Sequence, residues 1–140
     1  MGMKIKPLVV IFLLFISALA QAETPVDPTL DRLSKVSAFA FGGVGFAGVT
    51  SEGEKDYRAI MAHPSALETF EKLFATGNLQ AKAYALVGIR RLDLRRYNEL
   101  SAPLRGITQK VTVFRGCLMS HEPFASLAKS IDAGDYDAKK

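Results

Sequence analysis

The 140-residue chain has a single cysteine, only two histidines and almost no excess of charge, and each scarcity removes a class of explanation. Cys117 alone cannot close an intrachain disulfide, so stability has to come from packing unless the thiol pairs with another chain. With no second cysteine, and with only His63 and His121 as imidazoles, a zinc site lacks ligands. No metal and no cofactor is therefore expected. A long apolar run is missing too: the stretch from Leu8, even extended to Ala20, covers 13 residues. A helix that crosses a bilayer needs about 20.

That short run has a different use. Lys4 and Lys6 precede it, Leu8 to Ile16 is unbroken apolar sequence, and Ala18, Ala20 and Ala22 supply small residues at its end. The pattern predicts a secretory signal peptide over residues 1–22, cut after Ala20-Gln21-Ala22 and before Glu23. The short A-x-A form suits a bacterial signal, which makes the destination periplasmic or secreted. No cysteine follows the cut, so lipid attachment at the new terminus is not indicated. Removing 22 of the 140 residues leaves 118, the size of one domain, and no membrane span. The mature part carries 16 basic and 14 acidic residues, a net charge of +2 that gives no ground for nucleic-acid binding.

Along the mature chain, Glu23 to Pro28 carries two prolines and reads as a leader, with a short helix following it to about Lys35. Val36 to Val49 interleaves Phe39, Phe41, Val44 and Phe46 with Gly42, Gly43, Gly45 and Gly48. Each glycine would cost a helix about 1 kcal/mol relative to alanine, so a buried strand or tight hairpin is expected, with its aromatics in the core. Helical signals then recur. Ser51 with Glu54 and Ser65 with Glu68 fit capping boxes, and Asn78 and Asp93 stand as caps before two further helical patterns. The pattern after Asn78 is apolar nearly all round, which marks a helix buried on several sides. Val111 and Val113 alternate with polar residues in a short strand near 107–115. Phe124, Leu127, Ala128 and Ile131 follow at helical spacing, and Gly134 ends them. The expected architecture is mainly α: a compact bundle of about five short helices in a single domain over residues 36–134, with a small glycine-rich β or turn element and a charged, flexible tail over 135–140.

The segment Ala81-Lys82-Ala83-Tyr84-Ala85-Leu86-Val87-Gly88-Ile89-Arg90-Arg91-Leu92-Asp93 resembles the second helix of a HEAT-like repeat, in which small residues let helices approach closely. The resemblance covers about one and a half repeats, and no strict period extends it. It implies helix pairs and a scaffold that presents a binding face.

Three constellations carry potential chemistry. Gly43-Val44-Gly45-Phe46-Ala47-Gly48 spells G-x-G-x-x-G, but a dinucleotide site needs a βαβ unit with an acidic residue ending its second strand. Glu68 stands at the right distance inside a helical pattern, so the glycines are read as turn formers. Cys117 and His121 stand four apart, a spacing that allows a thiol nucleophile with its base, part of a metal site or a buried structural thiol, although Gly116 and the capping signals around Ser120 suggest that the two straddle a loop. Arg90, Arg91, Arg95 and Arg96 cluster around Asp93, where they serve the helix dipole or form a patch for an acidic partner. The reading that emerges is an exported, non-enzymatic protein of accessory or immunity type. It binds another protein or an anionic envelope surface, with the four arginines as contact residues. The alternative is a small thiol-dependent enzyme or redox protein using Cys117 and His121.

Overall fold

A computed structural model describes residues 28–137. The expected signal peptide over residues 1–22, the expected leader residues 23–27 and residues 138–140 lie outside them. The elements run α1 (Pro28–Ser34), β1 (Phe39–Ala40), β2 (Gly43–Val44), β3 (Val49–Thr50), α2 (Glu52–Met61), α3 (Ala66–Thr76), α4 (Leu79–Leu92), α5 (Leu94–Ser101), a 3-10 turn (Ala102–Leu104), β4 (Lys110–Arg115), β5 (Leu118–Pro123) and α6 (Phe124–Asp132). The fold is mainly α, as expected, with six α-helices among the described residues and two small sheets.

Helix α4 is the centre. Ala81, Ala83, Tyr84, Ala85, Leu86, Val87 and Ile89 are all fully buried on it, because α2, α3, α5, α6 and the sheet surround it. Its small residues set how closely they come. At Gly88 an added Cβ would lie 2.4 Å from the Phe70 ring, so α3 packs directly on α4 backbone there. Helices α3 and α4 pack on each other as a HEAT-like pattern implies, α1 and α2 pack against both of them, and α5 leads into a turn and a hairpin.

The caps explain where helices begin. Asn78 Oδ1 accepts the Ala81 N–H at 2.9 Å and Asp93 Oδ1 accepts that of Arg96 at 2.9 Å. Ser51 Oγ accepts the Glu54 N–H at 3.1 Å, which is half of a capping box. Glu54 does not close the other half. Its buried carboxylate reaches out of the helix to accept the Gly42 N–H at 2.9 Å and the Arg58 guanidinium at 2.6 Å, tying the glycine-rich segment to α2. The expected box at Ser65 is absent, because Ser65 Oγ sits 2.8 Å from His63 Nδ1 and makes no cap bond. His63 lies just past the end of α2.

The first sheet has the order β1-β4-β5. Strand β1 is parallel to β4, with Phe39 beside Val113, and β4 is antiparallel to β5 from Lys110–Pro123 to Arg115–Leu118. The strand near 107–115 is therefore one arm of a hairpin. Its return arm, β5, carries no alternation of apolar residues because it is exposed or half-exposed throughout. The free edge of β1 is closed by one hydroxyl: buried Tyr84 Oη donates to Ala40 O at 2.9 Å and accepts the Ala40 N–H at 3.0 Å, while Ser51 Oγ also donates to Ala40 O at 3.0 Å. Phe39 and Phe41 meet Tyr84 at ring-centroid distances of 4.8 and 5.2 Å. Tyr57 joins them, 4.9 Å from Phe41.

The tail begins later than its charge suggests. Tyr136 is buried with its ring 5.0 Å from that of Phe39, edge to face, and Asp137 pairs with Arg90 at 3.3 Å. An aromatic residue that finds an aromatic core has no reason to stay with its charged neighbours in solvent.

Candidate interaction surface

The second sheet is the glycine-rich hairpin, in which β2 pairs antiparallel with β3, Val44 facing Val49. Gly45 and Gly48, both at positive φ (71° and 62°), turn the chain between the two strands. This settles the geometry of G-x-G-x-x-G here: its glycines build a hairpin turn and no helix opens on them, so the backbone donors that would hold a pyrophosphate are not aligned.

A second turn lies against the first. Gly116 and Cys117 connect β4 to β5, and Gly116 at φ 60° with Cys117 at negative φ makes the turn of the II′ type that suits a two-residue hairpin. Gly45 N–H donates to Gly116 O at 3.2 Å, so the two turns form one tip. The tip is apolar where solvent meets it. Phe46 is fully exposed, and Val49, Leu118 and Met119 are each more than half exposed. An open cleft of about 440 Å³ adjoins Gly116, walled by Phe41, Phe114 and Tyr136 and carrying Arg115 and Asp135.

Arg115 is held in place. Glu122 accepts from its two terminal nitrogens at 2.9 and 2.8 Å, and that bidentate pairing holds the guanidinium above its ordinary pKa. Burial raises the Tyr136 phenol, so at neutral pH the cleft presents a neutral hydroxyl beside a neutralised ion pair.

The residues singled out from sequence fare unequally. Cys117 and His121 are not brought together. Cys117 is exposed on the turn and His121 lies on extended β5, where positions four apart are separated by roughly 13 Å. His121 Nδ1 instead meets Thr112 Oγ1, its cross-strand partner, at 3.1 Å. The buried structural thiol fails as well, because a two-residue turn projects both of its residues into solvent. No group of three His, Cys, Asp or Glu residues able to hold a metal occurs among the described residues.

The four arginines divide. Arg90 turns inward over the Tyr97 ring, 5.5 Å from its centroid, and pairs with Asp137. Arg96 bonds Glu71 and, at 3.0 Å, Glu99, and these carboxylates raise its pKa. Arg91 and Arg95 stay at the surface, the first 3.4 Å from Tyr57 Oη and the second 3.4 Å from Glu99, beside exposed Leu92 and Leu94. Two of the four are thus structural ties between helices, and the cluster is not one open basic patch.

Sequence reading missed Phe46, Leu118 and Met119. Phe46 was absorbed into a run of presumed core aromatics, although a bulky apolar residue between two glycines of a tight turn points away from the strands. No family model, no curated protein and no solved structure matches this chain.

Proposed function

We propose that this is an exported, non-enzymatic binding protein that engages another protein with its two-turn apolar tip. The observation that carries the reading is the fully exposed Phe46, with Val49, Leu118 and Met119 exposed on the strands that flank two turns bonded to each other. Exposed apolar side chains of this kind are costly to leave in water, and aromatic residues presented on a rigid support are what protein contacts use as anchors. Desolvating Phe46 alone is worth about 1.5–3 kcal/mol. The rigid support is present: Glu54 holds Gly42 and Gly116 holds Gly45.

The arginine corner takes a secondary part in this reading. Arg91 and Arg95, with Leu92 and Leu94, form a smaller mixed surface, and exposed charges of this kind contribute steering more than affinity. Export rests on residues 1–22 and is checked by sequencing the amino terminus of secreted or periplasmic protein, which should begin at Glu23. The binding reading is tested by placing a photo-crosslinking amino acid at position 46 in the producing cell, with one at exposed Lys72 on α3 as the comparison. A discrete protein adduct from position 46 and none from 72 is the expected result. Lipid adducts, or none, would refute a protein-binding tip.

A further inference from the structure

We propose that the free edge of β5 is a homodimer interface, in which β5 pairs antiparallel with β5 of a second copy about a two-fold axis at Ser120. The two edges of the first sheet are treated differently. That of β1 is closed by Tyr84 and Ser51 at Ala40, whereas nothing in the described residues closes that of β5. A two-residue turn closes on a hydrogen-bonded pair, so Arg115–Leu118, Val113–Ser120 and Val111–Glu122 exchange the ladder bonds. The N–H and C=O of Met119 and His121 then point outward, and none of these four groups meets a partner among the described residues. Every residue of β5 is exposed or half-exposed, so no element overhangs the edge.

The occupant follows from the register. With two copies antiparallel and Ser120 opposite Ser120, Met119 of each faces His121 of the other, and two hydrogen-bonded pairs consume all the outward donors and acceptors of both chains. Pro123, the next outward position, has no N–H to leave unsatisfied, so the open segment ends where the self-pairing ends. Side chains agree with it. Leu118 faces Glu122 and Met119 faces His121, so no like charges oppose each other, and Glu122 is already neutralised by Arg115. The pairing leaves Phe46 and Val49 free but shares Leu118 and Met119 with the tip, so it is read at position 120, apart from the contact read at position 46.

Chemical cross-linking in the full mature chain reads the register directly. In a Cys117→Ser background, Ser120→Cys places two thiols across a non-hydrogen-bonded pair with Cα atoms about 4.5 Å apart, within disulfide range. Mild oxidation should give a covalent dimer. Native Cys117 would lie roughly 20 Å from its mate and should not cross-link at the same rate. His121→Pro removes an outward donor that β4 does not use, and Ser120→Lys sets two ammonium groups face to face. Each should weaken the dimer about tenfold or more in sedimentation equilibrium, with the helical circular dichroism unchanged. A monomer at every soluble concentration, equal cross-linking through Cys117, or a Ser120→Cys dimer indifferent to His121→Pro would overturn the proposal. A monomer whose β5 amides become protected only when a strand of another protein is added would assign the edge to that strand instead.

Discussion

Replacing Tyr84 by phenylalanine removes one oxygen atom and tests how the sheet is anchored to the helices. The hydroxyl is buried and makes two bonds to the same residue, donating to Ala40 O and accepting from Ala40 N–H. After the change, Ala40 O keeps the Ser51 hydroxyl, but the Ala40 N–H has no partner and no route to water. An orphaned buried donor costs about 1–3 kcal/mol, and the lost bond to Ala40 O adds about 0.5–1.5 kcal/mol, less what Ser51 recovers. The ring stays, so its stacking on Phe39 and Phe41 is kept and no cavity of consequence opens. A loss of about 2–3 kcal/mol is expected, which for a domain of this size lowers Tm by roughly 8–15 °C. Calorimetry and urea unfolding of the mature protein measure it, with Ser51→Ala and the double variant alongside. Because the two hydroxyls share Ala40 O, the double variant should lose more than the sum of the singles. A Tm change under about 2 °C for Tyr84→Phe would refute the edge-closing role.

Three further outcomes follow from the packing and the titratable groups. Gly88→Ala drives a methyl group into the Phe70 ring, so overpacking should cost about 1–3 kcal/mol in chemical denaturation, and Phe70→Leu in the same chain should restore part of it. All four tyrosines, Tyr57, Tyr84, Tyr97 and Tyr136, have folded-state pKa values raised chiefly by burial. Their folded pKa exceeds the unfolded value near 10, so their contribution to stability is complete below about pH 10 and falls as pH rises through the folded values. Phenolate absorbance should therefore appear together with loss of circular dichroism above pH 10, and independent titration of one tyrosine near pH 10 would contradict it. Exposed Cys117 should react with a thiol reagent as completely in the native protein as in denaturant, and His121→Ala should leave that rate within about twofold. A large drop in rate on losing His121 would mean that the imidazole reaches the sulfur after all.

Much of the helical layout was legible because its signals are local. Asn78 and Asp93 cap the helices they precede, and the all-round apolar pattern of Ala81 to Ile89 marks a helix enclosed on every side. What sequence could not reveal depends on pairing across distance. The box pattern at Ser51 and Glu54 was right for the serine and wrong for the glutamate, because Gly42 and Arg58 offer that carboxylate better partners than its own helix start. Strand β5 was invisible: at an edge with both faces wet there is no core side for apolar residues to alternate toward. Four positions would bring Cys117 and His121 together only on a helix, and Gly116 already pointed to the loop that separates them, which is the hairpin turn between β4 and β5. The arginines looked like a patch for the same reason that Tyr136 looked like tail: charge is read from sequence before its partners are known.

The parallel union of β1 with β4 also sets an order of events. Strand β1 and the paired aromatics Phe39 and Phe41 are made early, yet β4 and Tyr136, which cover them, come after five of the six helices. A chain emerging amino terminus first can stack α3 on α4 from neighbouring sequence, but it must carry two phenylalanines covered only on the side of Tyr57 and Tyr84 until nearly its last residues are free. Such a chain locks into its native packing only when its end arrives. Truncations that remove residues after Arg105 should thus leave a helical species with exposed aromatic surface in place of a smaller native fold, a state that dye binding and lost near-ultraviolet circular dichroism would reveal.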